Sequence, residues 1–135
     1  MNLILGKGVL MEKEIVYTEQ APDPGPYSQA VRYGNLIFLA GQTSEDPLTN
    51  QPVHDSVTAQ TERIMRNIET ILQAAGAGLD RILRVDVYLS SMSIKPEFNA
   101  AYRTFFTEKL PARNCVAVAG IDDGLDVEIE VIAGV

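Results

Sequence analysis

Apolar residues recur along the chain with two different periods. From Val57 to Ala75 the positions Val57, Ile64, Met65, Ile68, Ile71, Leu72 and Ala75 fall on one face with steps of three and four, the spacing of an amphipathic helix. Glu62, Arg63, Arg66, Glu69 and Gln73 take the other faces. Asp55 or Ser56 can cap this helix, and Gly76 and Gly78 end it. From Arg81 to Leu89 the period is two, with Leu83, Val85, Val87 and Leu89 on one side and Arg84, Asp86 and Tyr88 on the other, which predicts a strand. The final stretch Asp126 to Ala133 alternates as well, Val127, Ile129 and Val131 against Glu128, Glu130 and Ile132.

The remaining segments follow from the same reading. Lys13 to Thr18 is a short edge strand. Gln29 to Tyr33 and Leu36 to Ala40 are strands joined by Gly34-Asn35, a two-residue hairpin signal. Ala21 to Pro26 holds three prolines and a glycine, so it is stiff and extended. Thr43 to Pro52 is a surface loop and Ser90 to Ser93 a turn. A second helix starts near Pro96 and runs to about Lys109, its stripe of Phe98, Tyr102, Phe105 and Phe106 facing the core. Pro111 stops it, and Cys115 to Ala119 is a further strand before the turn Gly120 to Gly124. The order β-β-β-α-β-α-β-β predicts a two-layer α+β domain, a sheet of about six strands with both helices on one face. The other sheet face stays uncovered and suits contact with further copies of the chain.

Composition narrows the function. The chain has 135 residues, enough for one domain. Residues 1–10 read as a leader or extension and Met11 as the natural beginning, leaving 11–135 as the domain. A net charge of -7 argues against a general nucleic-acid or anionic-membrane surface. Cys115 is the only cysteine, so no intrachain disulfide is possible and a cytoplasmic setting fits. No apolar run approaches a membrane span. His54 and Cys115, each the only one of its kind, do not make a zinc site. No phosphate-binding or dinucleotide motif is present.

The candidate chemistry centres on Pro111-Ala112-Arg113-Asn114-Cys115-Val116. An arginine at the mouth of a strand is a planar fork suited to a carboxylate; by spacing alone it reads more readily as a surface charge. Glu128 is a second polar group on a regular strand, where a solvated carboxylate is common. Tyr27, delivered by the rigid proline segment, reads as a packing aromatic or a site residue. Cys115, with no histidine to activate it, reads as a small apolar residue rather than a nucleophile. Asn99 can bond locally on its helix or line a cleft, and Gly41, just past an apolar strand, marks a close backbone approach.

Taken in series, Gly25-Pro26-Tyr27-Ser28-Gln29-Ala30, Gly41-Gln42, Gln60-Thr61, Ala75-Gly76, Val87-Tyr88-Leu89, Phe98 to Tyr102, Pro111 to Val116 and Val127 to Glu130 resemble the RidA/YjgF family of enamine/imine deaminases over about residues 11–135. The resemblance implies a chorismate-mutase-like fold assembled as a homotrimer, with clefts between subunits. It implies hydrolysis of 2-imino acids, formed from enamines such as 2-aminoacrylate, to 2-keto acids and ammonia, with no metal, nucleotide or pyridoxal cofactor. By position Arg113 matches the carboxylate-binding arginine and Glu128 the acid associated with the attacking water. Tyr27, Asn99 and Cys115 match cleft-lining residues, and Gly41 the backbone approach point. The chain departs from the family pattern in Ala40, where several members carry serine, in a short segment before Pro111, and in a turn at 120–124 without the usual proline. A trimer that binds small carboxylates without turnover is the alternative reading. RNA cleavage, attached to some members, is disfavoured by the acidic balance.

Overall fold

In a computed structural model, residues 11–135 are described. The leader assigned to residues 1–10 lies outside the described residues. Strands β1 (Glu14–Val16), β2 (Ala30–Tyr33) and β3 (Leu36–Leu39) come first. Helix α1 (Val57–Ala74) and strand β4 (Ile82–Leu89) follow. Helix α2 (Lys95–Tyr102), strand β5 (Ala112–Ala117) and strand β6 (Val127–Gly134) complete the order. One six-stranded sheet runs β1-β2-β3-β6-β4-β5. Its pairs are antiparallel except β4 with β5, which is parallel. A parallel neighbour needs a crossover connection, and α2 supplies it. The fold is therefore the expected α+β sheet with two described helices on one face.

Local chemistry accounts for the elements. Tyr33 pairs with Leu36 across the two-residue turn, where Gly34 takes φ 61°, a conformation glycine adopts without a Cβ clash. Ser56 caps α1, its hydroxyl accepting from Ala59 N at 3.1 Å. All seven apolar positions read from the period are buried. A fully buried Ile or Leu contributes roughly 1.5–3 kcal/mol, and this stripe shares one buried cluster with Val85, Val87, Ile129 and Val131.

One side chain's facing and two element boundaries differ from the sequence expectation. Leu83 was expected to face inward, but the β4–β6 register shifts between Ile82 and Arg84. The resulting bulge buries Ile82 and turns Leu83 out to 53% exposure. Helix α2 ends at Tyr102 rather than near Lys109. There Thr104 closes a tighter turn, both its N–H and its hydroxyl donating to Ala101 O at 3.2 and 2.7 Å, and Lys109 takes φ 48°. Strand β5 accordingly begins at Ala112, earlier than expected, because residues from Ala112 on pair with β4 starting at Arg84.

The uncovered face is mixed. It carries exposed Ile15, Tyr33, Leu36, Phe38 and Val116 together with the polar residues Arg84, Asp86, Tyr88, Glu128 and Glu130. Among the described residues no helix is long and apolar enough to cross a membrane.

Candidate functional site

Arg113 sits on the edge strand β5, opposite Val85 of β4. Because Val85 points into the core, Arg113 projects on the helix side of the sheet. Its guanidinium lies 4.8 Å from the centre of the Tyr102 ring and 5.7 Å from that of Phe98, both within cation–π range. The i, i+4 spacing on α2 sets these rings side by side, 5.5 Å apart. Among the described residues Arg113 has no carboxylate within ion-pair distance. The rings sit beneath the guanidinium without pairing its N–H donors. Burial pushes the Tyr102 hydroxyl pKa upward, against the opposing pull of the Arg113 charge.

Asn99, one turn before Arg103 on the same helix, lines the same open pocket of about 540 Å³ as Arg113. Cys115, two residues along β5, shares the helix-side face and packs half-buried against the core. The backbone adds a donor. Val118 N bonds Leu89 O at 2.9 Å, so by the alternation of strand amides those of Arg113 and Cys115 face the open edge.

Glu128 occupies the other side of the sheet. It pairs with Tyr88 on β4, and neighbouring Val127 and Ile129 are the buried ones. Its carboxylate lies over Gly41: a Cβ there would overlap Oε2 and stand 3.1 Å from Cδ. The approach is fixed by a reciprocal bridge, Gln42 N to Ile129 O at 2.8 Å and Ile129 N to Gln42 O at 3.0 Å. The start of β6 is tied down by Gln60, which is buried. Its amide donates to Asp126 Oδ2 at 3.1 Å and accepts from Asp126 N at 3.0 Å, while Ser90 donates to Oδ1 at 2.8 Å. Burial raises the Glu128 pKa, and the nearby Asp122 and Glu130 charges raise it further. A carboxylate held this way is a stronger proton acceptor than a free glutamate.

Tyr27 lines a shallow depression with Gln42 and Glu45. Its N–H closes onto Gly25 O at 2.7 Å and its ring folds against Gly25. Gln29, also buried, holds the proline segment by donating to Thr18 O and Pro22 O at 3.0 and 2.9 Å and accepting from Thr18 N at 2.8 Å. Burial also raises the Glu45 pKa, with the hydrogen bond from Thr43 opposing it.

The candidates thus form two groups. Arg113, Asn99 and Cys115 lie at the β5 edge on the helix side. Glu128 and Gly41 adjoin one another on the outer side, and Gln42, next to Gly41, lines the depression that holds Tyr27. Within one chain the two groups do not meet: β4 lies between their strands, about 10 Å across, and they use opposite faces. Sequence reasoning missed the platform under Arg113, treating Phe98 and Tyr102 as core alone; they serve as both. It included the glutamines at 29, 42 and 60 in its motif series but gave them no role; all three are buried. Among the described residues no three His, Cys, Asp or Glu side chains are grouped as a metal site requires.

A family profile described as Endoribonuclease L-PSP matches residues 18–135. A RutC family protein of Pyrococcus abyssi is 43% identical over 124 residues, covering 91% of this chain and 98% of that protein. The crystal structure of RidA from the Antarctic bacterium Psychrobacter sp. superposes with a TM-score of 0.86 at 35% identity, covering 90% of this chain and 99% of that one. The structure of the YjgF gene product from E. coli gives 0.84 at 36% identity, covering 90% and 98%. The profile spans most of the chain, and the architecture and motif order agree with it: the chain belongs to the endoribonuclease L-PSP family, the group that contains the RidA and YjgF proteins.

Proposed function

We propose that the protein hydrolyses reactive 2-imino acids to 2-keto acids and ammonia, at a site completed by a second copy of the chain. The observation that carries this reading is the division of the site. An arginine with no carboxylate partner among the described residues lies on one sheet face, and a carboxyl with a raised pKa lies on the other. Stacking one copy's β5 edge against another's outer face would bring both to one substrate. In this reading the copies close as a homotrimer, as the family resemblance implies, and exposed Phe38 and Leu36 become contact residues.

The chemistry asks little beyond placement. A 2-imino acid carries a carboxylate beside an electrophilic C=N. Arg113 takes the carboxylate through two parallel hydrogen bonds, assisted by the edge amide of Cys115. That fixes the imine carbon at the position a water can attack. Glu128 accepts a proton from the water as its oxygen bonds to carbon. With the imine in its protonated form this gives a neutral carbinolamine. Glu128 returns its proton to the nitrogen, ammonia leaves, and the hydroxyl gives up its proton to Glu128 as the C=O of the keto acid forms, that proton then leaving with the ammonia as ammonium. Holding the water and the carboxylate on groups from different copies makes turnover depend on assembly.

The test is ammonia release from imines generated by an amino-acid oxidase or a serine/threonine dehydratase. The parent accelerates release above the spontaneous rate, and Arg113→Ala abolishes the acceleration. Equal release by parent and variant sinks the assignment. Thermal stabilisation by keto acids without any acceleration identifies a non-catalytic carboxylate-binding module instead.

A further inference from the structure

The pocket beside Arg113 contains more cationic chemistry than a monocarboxylate requires. Two arginines, Arg103 and Arg113, line the same cavity of about 540 Å³ with Asn99. Neither has a carboxylate within ion-pair distance among the described residues, where the pairs are Arg63–Asp55, Arg66–Glu62 and Arg84–Asp86. Arg103 is anchored at its backbone as the capping residue of α2, donating to Asn99 O at 3.0 Å. It follows Tyr102, the ring under Arg113. The early end of α2 creates this arrangement, because the chain leaves the helix here and returns to Pro111 past Phe106 and Leu110, which form the apolar part of the wall.

Two like charges around one cavity repel each other, and an anion bridging them relieves that repulsion. A substrate with one carboxylate and a short side chain engages only Arg113. We infer that the site takes 2-imino dicarboxylic acids of four or five carbons, with Arg113 on the carboxylate beside the imine and Arg103 on the distal one. The methylenes between them would lie along Leu110 and Phe106. Charge also sets the direction of binding. The Glu128 half is acidic, with Asp122 and Glu130 acting on that carboxyl, so a distal carboxylate is turned away from it and the imine end toward it. Arg103 is then a specificity-determining residue; the C=N bond is hydrolysed as before and the distal carboxylate takes no part. The turnover half of this inference rests on the proposed deaminase reading, while the binding half stands without it.

Titration calorimetry with stable keto acids tests the binding half. The parent should bind 2-oxoglutarate about tenfold or more tightly than 2-oxobutanoate, as a charge-assisted contact supplies. That ratio should fall to near one in Arg103→Ala, invert in Arg103→Glu and be partly kept in Arg103→Lys, which retains charge but loses the fork. Arg103 is exposed, so these variants fold. A parent ratio of one or less, or a ratio that Arg103→Ala leaves intact, overturns the inference. Imines made from glutamate and from 2-aminobutanoate by the matching oxidases then give the ratio of kcat/KM. If selectivity depends on Arg103 yet no imine is deaminated, the dicarboxylate site stands and the deaminase reading falls. If both imines are deaminated with no dependence on Arg103, the deaminase reading stands and this inference fails.

Discussion

The two faces of the sheet solve opposite electrostatic problems. On the helix side, Arg113 rests on the Tyr102 and Phe98 rings, which accept a cation without neutralising it. On the outer side, Glu128 is pressed over Gly41 among other carboxylates, which favours its protonated form. One half is a cation awaiting an anion and the other an acid primed to take a proton. A glutamate beside Arg113 would quench both, since an ion pair would lower the acid's pKa and occupy the fork. Keeping them on opposite faces of one chain avoids that.

The largest effect that can break this comparison comes from mixing variants. Arg113→Ala and Glu128→Gln should each lose about 100-fold or more in kcat/KM, the scale of a lost charge-assisted contact in a pre-organised site. Mixed one to one and reassembled, they should recover up to about one quarter of parent activity if each site joins an arginine and a glutamate from different copies of a cyclic oligomer. No recovery, in subunits shown by mass spectrometry to have exchanged, would mean that the two groups do not act across an interface.

Next in size is Gly41→Ala. Its Cβ would overlap the Glu128 carboxylate, so kcat should fall about 10- to 100-fold while circular dichroism stays that of the parent. An unchanged kcat would show that the placement of Glu128 over Gly41 does not matter.

The pH profile separates activity from stability at Glu128. Its folded pKa lies above that of an ordinary glutamate because the carboxyl is buried, so between the unfolded and folded values the native chain holds more protons than the unfolded one. Stability from this group is therefore greatest below the unfolded value and is lost as pH rises through the folded one. Glu128→Gln should melt above the parent at neutral pH, and the gap should close on acidification. Activity runs the other way, with the parent's kcat falling as pH drops through the raised pKa. A Glu128→Gln protein less stable than the parent at neutral pH would contradict the burial argument.

The smallest effect is at Tyr88, whose hydroxyl donates to Glu130 on the outer face and is pushed up to about 12, that hydrogen bond being the largest cause. Tyr88→Phe should lower stability by about 1 kcal/mol, the net worth of one hydrogen bond, read from the denaturant midpoint. A loss several times larger would make the outer face a structural core rather than a contact surface.

Much of the fold was legible because it is written in local periods. The α1 stripe, the β6 alternation and the Gly34-Asn35 turn each depend on residues a few positions apart. The site was legible only as a set of positions carried over from the motif series, and the structure sorts that set into two groups. Where the local reading failed, a non-local pairing or a short polar contact had taken over. Leu83 faces out because β4 bulges against β6, and α2 stops at Tyr102 because Thr104 captures the Ala101 carbonyl.

By itself the sequence determined the order of the elements, the buried face of each long one, the acidic balance and the residues able to do chemistry. Only the tertiary structure decided which side of the sheet each of those residues occupies. The reason is the two-residue period of a strand. A side chain's face depends on its register against its neighbours, and a slip of one residue reverses it. Register is set by pairings such as Val85 with Arg113 and Tyr88 with Glu128, between segments far apart in the chain. Those pairings place the arginine on one face and the glutamate on the other.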